Sequence, residues 1–170
     1  MTTILTAYVA PRDNQVHQAS VEVDIKPGIG IHVIGLADQT VKEALLRTIT
    51  ALQACGYHIP GKKIIINITP ADLHKSGEGF DLPIALGILL EQGAVNFDSA
   101  GFTFHGQLGL DGSIRTTGNE QAILDKGGLR GAMVCGRICP EDTEYEYSNG
   151  RYTFANLREL IDYAEYCWRD

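Results

Sequence analysis

Between Asn67 and Leu90 the chain reads NITPADLHKSGEGFDLPIALGILL: the end of a β-branched run, a polar loop with two glycines, then an apolar helix. No other segment restricts the fold as much, because strand, loop and helix follow one another with no spare chain. Lys63 to Ile68 (KIIINI) is short and β-branched, as a buried strand is. Leu82 to Leu90 (LPIALGILL) is apolar almost all round, so the helix it forms must be enclosed by the protein. Asp81 is expected as its N-cap, with Pro83 in the first turn where a missing N–H costs nothing. Backbone N–H groups and the positive end of the helix converge near Lys75, Ser76, Gly77, Glu78, Gly79 and Asp81, a geometry that favours negative charge or nucleophile chemistry.

The flanking sequence supplies partners for this unit. Thr3–Ala10 and Ala19–Ile25 alternate, with Val21, Val23 and Ile25 on one face and Glu22 and Asp24 on the other, as half-buried antiparallel strands do. Pro27, Gly28 and Gly30 lead to a third strand at Ile31–Ile34, so an N-terminal meander is expected. From Asp38 to Cys55 the spacing of Val41, Leu45, Ile49 and Leu52 predicts an amphipathic helix, with Gly56 as its stop. Lys42, Glu43 and Arg47 fall on the other side and read as a solvated face, Glu43 and Arg47 forming an i,i+4 pair. Further on, Phe102–Leu108 reads as a strand, Leu110–Gly112 as a tight turn, and Asn119–Lys126 as a short helix closed by Gly127 and Gly128. Ala132–Cys135 reads as a late strand and Glu141–Gly150 as an exposed polar segment. Asn156 should cap a last helix carrying Leu157, Leu160, Ile161 and Ala164, with Tyr163, Tyr166 and Trp168 to pack or dock.

A length of 170 residues with 44% hydrophobic content suits one core, hence one domain over 1–170. A formal charge of -7 leaves no electrostatic footprint for nucleic acid. Cys55, Cys135, Cys139 and Cys167 are scattered and no secretory leader precedes them, which suits reduced thiols and a cytoplasmic location. Cys135 and Cys139 lack the further ligands of a tetrahedral metal site, and His17, His32, His58, His74 and His105 offer no i,i+4 metal pair. No apolar run is long enough to cross a membrane, so no membrane contact is expected. His74 beside Lys75 could lend protonatable charge to the glycine loop. Glu78 and Asp81 oppose a bound phosphate there.

Three ordered blocks carry a resemblance: VEVDIKPGIGIHVIGLADQTVKEAL (Val21–Leu45), CGYHIPGKKIIINITPADLHKSGEGFDLPIALGIL (Cys55–Leu89) and GQLGLDGSIR (Gly106–Arg115). Together they resemble the N-terminal, "ChlI subunit" domain of the ComM/YifB group of magnesium-chelatase-like AAA+ ATPases. The resemblance implies an α+β, two-layer sheet-plus-helices domain of the ribosomal protein S5 domain 2-like type, shared with the proteolytic domain of Lon. Lon places its nucleophilic serine in a Lys-Asp-Gly-Pro-Ser-Ala-Gly loop; Gly79 falls at that position here, and Gln121 falls near the place of the Lon lysine. A Ser-Lys dyad needs both partners, so no catalytic residue is expected. No cofactor or metal is expected in this chain either, and His74, Lys75, Ser76, Gly77, Glu78, Gly79 and Asp81 remain candidates for anion or partner contact. The resemblance further implies an AAA+ module in the same polypeptide that binds ATP and Mg, since G-x-x-x-x-G-K-[ST] is missing here. It also implies a homo-hexamer and a role in DNA processing, including branch migration in natural transformation. The alternative from the enzyme class is a divergent Lon-like peptidase using Lys75, Ser76 or Ser113. A nucleic-acid binder by analogy with the ribosomal fold is a third reading, resting on fold alone.

Overall fold

The computed structural model describes residues 1–35, 39–70, 79–126, 131–138 and 150–169. Strands β1 (Thr2–Val9) and β2 (Val16–Lys26) pair antiparallel, Thr2 opposite Val23 and Val9 opposite Val16. The alternation in the sequence is realised: Val21 and Val23 are buried, while Glu22 and Asp24 stand half-buried on the reverse face.

Strand β3 (Ile31–Ile34) does not continue a meander. Helix α1 (Gln39–Ala54) carries the chain over to β4 (Lys63–Thr69), which inserts between β2 and β3 to give the order β1-β2-β4-β3. β4 is antiparallel to β2 and parallel to β3, so β3-α1-β4 is a helical crossover of the kind parallel strands require. Burial explains the placement. Ile64, Ile66 and Ile68 are all sealed and suit an inner strand, whereas short β3, with exposed His32 and Ile34, suits an edge.

Helix α2 (Asp81–Glu91) is buried at every position from Asp81 to Leu89, as its composition demands. Beyond it, β5 (Phe102–Phe104), β6 (Gln107–Leu108) and β7 (Ile114–Arg115) lead to α3 (Glu120–Lys126). β8 (Ala132–Cys135), β9 (Arg151–Thr153) and α4 (Leu157–Cys167) complete the described chain. β5, β8 and β9 form a parallel sheet, and β6 and β7 a hairpin through the expected turn. The single strand expected over Phe102–Leu108 is therefore broken at His105 and Gly106. There the backbone turns aside, the Gly106 N–H donating to Gly79 O at 3.2 Å just ahead of α2.

Asn156 caps α4 as expected, its side chain accepting from the Glu159 N–H at 3.0 Å. Leu157, Leu160, Ile161 and Ala164 join the same core as α2 and the four-stranded sheet. Trp168 closes it, stacked on Phe102 with ring centroids 4.0 Å apart. These elements make an α+β domain, and among the described residues no helix is long and apolar enough to cross a membrane. Cys55, Cys135 and Cys167 are free thiols. Cys139, Gly127, Gly128 and nearly all of the Glu141–Gly150 segment lie outside the described residues.

Gly87 sets how closely α2 lies on the sheet, because a Cβ there would stand 2.6 Å from Val23 Cγ2. Alanine gains about 1 kcal/mol of helix propensity. A stiff β-branched neighbour makes the overpacking cost larger, about 1–3 kcal/mol. Gly87→Ala should therefore lower stability in urea unfolding despite its better propensity, and Val23→Ala in the same chain should turn the substitution favourable.

Candidate functional site

The helix that follows the glycine loop begins differently from the sequence reading. Phe80, not Asp81, is the N-cap residue; its backbone is already αR, and its carbonyl accepts from the Ile84 N–H at 3.0 Å. Asp81 thus sits inside the first turn, where its side chain cannot cap and instead points into the protein. Its carboxylate is completely buried. Arg47 of α1 grips it through Nε at 2.9 Å and Nη2 at 3.2 Å, and the Leu108 N–H of β6 donates a third bond at 2.9 Å. Burial pushes the Asp81 carboxyl up from its ordinary value, and the Arg47 and Leu108 hydrogen bonds pull it back. On the other partner, the Asp81 hydrogen bond raises the Arg47 guanidinium above its usual range.

Arg47 is accordingly not part of a solvated face. The buried stripe of α1 runs through Val41, Ala44, Thr48, Ala51 and Leu52, which turns Arg47 toward α2 and leaves Leu46 exposed. The only hint in the sequence was a lone arginine flanking a helix stripe, which does not name a partner 34 positions away.

Gly79, with φ +88°, packs against a second buried group. A Cβ at 79 would overlap Cε1 and Nδ1 of His105, so the imidazole occupies the space a side chain would need. His105 is fully buried. Its Nδ1–H donates to Ala7 O of β1 at 2.8 Å, and Nε2 meets the Thr117 hydroxyl at 2.7 Å. That hydroxyl lies 3.3 Å from Glu120 Oε2, and the Glu120 carboxylate also accepts the N–H groups of Thr117 (2.8 Å) and Gly118 (2.9 Å) ahead of α3. Thr117 and Glu120 were not singled out from the sequence, although Thr-x-x-Glu before a helix is a capping-box signature that could have revealed them. Gln121 points elsewhere, its amide donating to Asp125 Oδ1 at 2.8 Å on the surface of α3.

Of the candidate loop residues, Gly79 and Asp81 are brought together at the start of α2. His74, Lys75, Ser76, Gly77 and Glu78 lie outside the described residues. In the first turn of this helix the Leu82 N–H donates to Gly106 O at 3.1 Å and Pro83 has no N–H, so neither offers a donor to an anion. The Ser113 hydroxyl donates to Asp111 Oδ1 at 2.7 Å. Gly56 to Lys62 does spell G-x-x-x-x-G-K, yet Lys63 stands where serine or threonine belongs. It also leaves helix α1 and enters strand β4, the reverse of the strand-to-helix order that cradles phosphate.

A buried acid clipped between two helices and a hairpin thus lies next to a glycine closed off by an imidazole, in a domain of the α+β class. The family described as Subunit ChlI of Mg-chelatase matches residues 21–131, and the chain belongs to that family. The chain is 41% identical over 98 residues to the uncharacterised protein YifB of Escherichia coli, covering 56% of this chain and 19% of that protein. It is 40% identical over 98 residues to competence protein ComM of Haemophilus influenzae, with the same shares. An uncharacterised protein of Mycobacterium tuberculosis is 32% identical over 97 residues. The expected kinship with the ComM and YifB proteins is borne out, and the aligned part spans only about a fifth of their length (19%).

Arg47→Met would leave the Asp81 carboxylate buried without its cation, at a cost of about 3 kcal/mol. The sign of its pH dependence follows from the carboxyl being held above its ordinary value, further still once Arg47 is gone. Between the ordinary and the raised value the native state holds a proton that the unfolded chain has lost, so stability falls as pH rises. Urea titrations should show the Arg47→Met deficit largest at neutral pH and shrinking in mildly acidic buffer.

Gly79→Ala meets both an unfavourable φ, about 1 kcal/mol, and the imidazole, about 1–3 kcal/mol. A double-mutant cycle with His105→Ala should return a coupling of about 1–3 kcal/mol, the overlap being absent once the ring is removed. Additive losses would show that the ring moves aside freely.

Proposed function

We propose that this chain is the non-catalytic N-terminal module of a magnesium-chelatase-related AAA+ ATPase, serving assembly or partner contact. The observation that carries this reading is the state of residue 79. In a domain of this family, read as ribosomal protein S5 domain 2-like and therefore Lon-like, the position that would hold an attacking hydroxyl is a glycine whose side-chain space is filled by His105. A hydroxyl cannot be installed there without displacing a ring bonded on both of its nitrogens. The nearby Thr117 hydroxyl does touch the imidazole, but it is shared with Glu120, and the ring is sealed from solvent. This cluster works as a pin joining β1, the start of α2 and the entry to α3.

On this reading ATP and Mg bind an AAA+ module of the same polypeptide, which forms a homo-hexamer. Residues 1–170 form one domain that binds neither, and the candidate loop contacts a protein partner through His74 to Glu78, with Gly79 and Asp81 buried at the start of α2. ComM is named for competence, which supports a DNA-processing role for the whole protein. DNA contact then falls to regions other than this acidic domain. The cell compartment that fits is the cytoplasm.

Treatment of the full polypeptide with a serine-reactive fluorophosphonate, followed by mass spectrometry, tests the reading. No adduct should form within residues 1–170 while ATP hydrolysis proceeds. An adduct on Ser76 or Ser113, lost in the corresponding alanine variant and accompanied by peptide cleavage, would establish a divergent peptidase instead.

A further inference from the structure

The contacts around Thr117 fix where the protons of the buried His105 cluster lie. The Thr117 hydroxyl oxygen meets His105 Nε2 at 2.7 Å, the Asn119 N–H at 3.2 Å and Glu120 Oε2 at 3.3 Å. It has one proton to give and two lone pairs with which to accept. Both oxygens of Glu120 act as acceptors, Oε2 for the Thr117 N–H at 2.8 Å and Oε1 for the Gly118 N–H at 2.9 Å. The hydroxyl proton therefore belongs on the Glu120 side, and the two lone pairs take the Asn119 N–H and a proton carried by Nε2. Because Nδ1 also donates, to Ala7 O at 2.8 Å, the ring holds a proton on each nitrogen. A neutral ring taking the Thr117 proton instead would set lone pairs of Thr117 and Glu120 against each other at 3.3 Å.

Electrostatics bears on the same assignment. Burial alone drives a proton off an imidazole, whereas an opposite charge within about 4–6 Å holds it on. His105 is fully buried, and Glu120 Oε2 lies 3.9 Å from its Nε2 in an equally enclosed setting. The elements packed on the histidine meet it through Ala7 O of β1, Gly79 ahead of α2, Val134 O of β8, which takes the His105 N–H at 3.0 Å, and Thr117 and Glu120 at the entry to α3. The other described titratable groups within two residues of those contacts are Tyr8, Asp81, Arg115 and Cys135. Asp81 is bonded by Arg47, Arg115 is exposed, and Cys135 is a free thiol.

We propose that His105 is an imidazolium at neutral pH, bridged by the Thr117 hydroxyl to Glu120, and that this proton makes the joint between β1, the start of α2 and the entry to α3 sensitive to pH. While the proton is held, the joint is a closed relay running from Ala7 O through the ring and Thr117 to the carboxylate. Once it leaves, Nε2 must draw on the Thr117 hydroxyl, and Glu120 loses both that bond and the cation facing it. The native state then keeps a proton that the unfolded chain gives up. Stability from this source is complete below the ordinary histidine value of about 6.5 and is lost as pH rises through the higher folded value. Gly79 packs on the same ring, so the segment that loosens is the one by which the glycine loop enters α2.

Nitrogen-15 labelling of the histidine rings, read by NMR across a pH series, tests this directly on the unaltered chain. At about pH 7 the His105 ring should show protons on both nitrogens, and at alkaline pH on Nδ1 alone. A ring with a single proton at about pH 7 would overturn the proposal. Glu120→Gln keeps the shape of the side chain and removes its charge, so the midpoint of the His105 titration should fall by about one pH unit or more, a tenfold loss of proton affinity. A midpoint unchanged by that substitution would also overturn it, because a purely structural cap would not move it. If Glu120→Gln fails to fold, the spectrum of the unaltered ring decides alone.

Discussion

A carboxylate sealed inside a protein must be matched bond for bond, and Asp81 imposes that demand where three elements meet. Its oxygens receive two bonds from Arg47 on α1 and one from the N–H of Leu108 on β6. None of the three donors is local in sequence, so satisfying the acid fixes α1, α2 and the hairpin relative to one another. An ion pair of this kind adds little net stability over an apolar replacement, but leaving it half-made is costly. Its effect is therefore to exclude other packings of α1 on α2, which apolar contacts alone, being non-directional, do not exclude.

The same logic separates what the sequence could disclose from what it could not. Periodicity located β1, β2, β4, α2 and α4 because each buries one face, or all faces, against the core, and that demand is written within a few residues. Asn156 was legible as a cap because its hydrogen-bond partner lies only three residues on. β3 was placed in the right residues and the wrong neighbourhood, since nothing within Ile31–Ile34 says that β4, far along the chain, will insert beside β2. Asp81 and Arg47 were each misread for one reason: a local role, cap or solvated charge, was available to both. The preference for the local role lost to a buried pairing 34 residues apart.

Gly79 shows how packing bears on chemistry. That position was visible in the sequence only through the resemblance, which implies a serine there in Lon. What fills the vacated space was not, because His105 comes from a broken strand and reaches the site only through the fold. Imidazole, hydroxyl and carboxylate at His105, Thr117 and Glu120 would be read as catalytic if only their identities were known. In the fold they serve as structural partners: Ala7 O takes one ring nitrogen, Glu120 accepts two backbone N–H groups and the Thr117 hydroxyl, and the ring is sealed. A nucleophile needs a base and also an approach for substrate.

Net charge adds a last constraint on how such a domain recognises anything. At -7 the chain repels polyanions at long range, yet its charges are not spread evenly. Arg47 and Arg115 share a cleft with Asp111, Arg47 being already paired with Asp81, while Glu159 and Asp162 stand together on α4. Screening reduces the long-range repulsion to little beyond about 8–10 Å at ordinary ionic strength, so contacts are decided by these local patches. Partner contact of the kind proposed above would then depend on short-range charge and exposed side chains rather than on long-range attraction to a phosphate backbone.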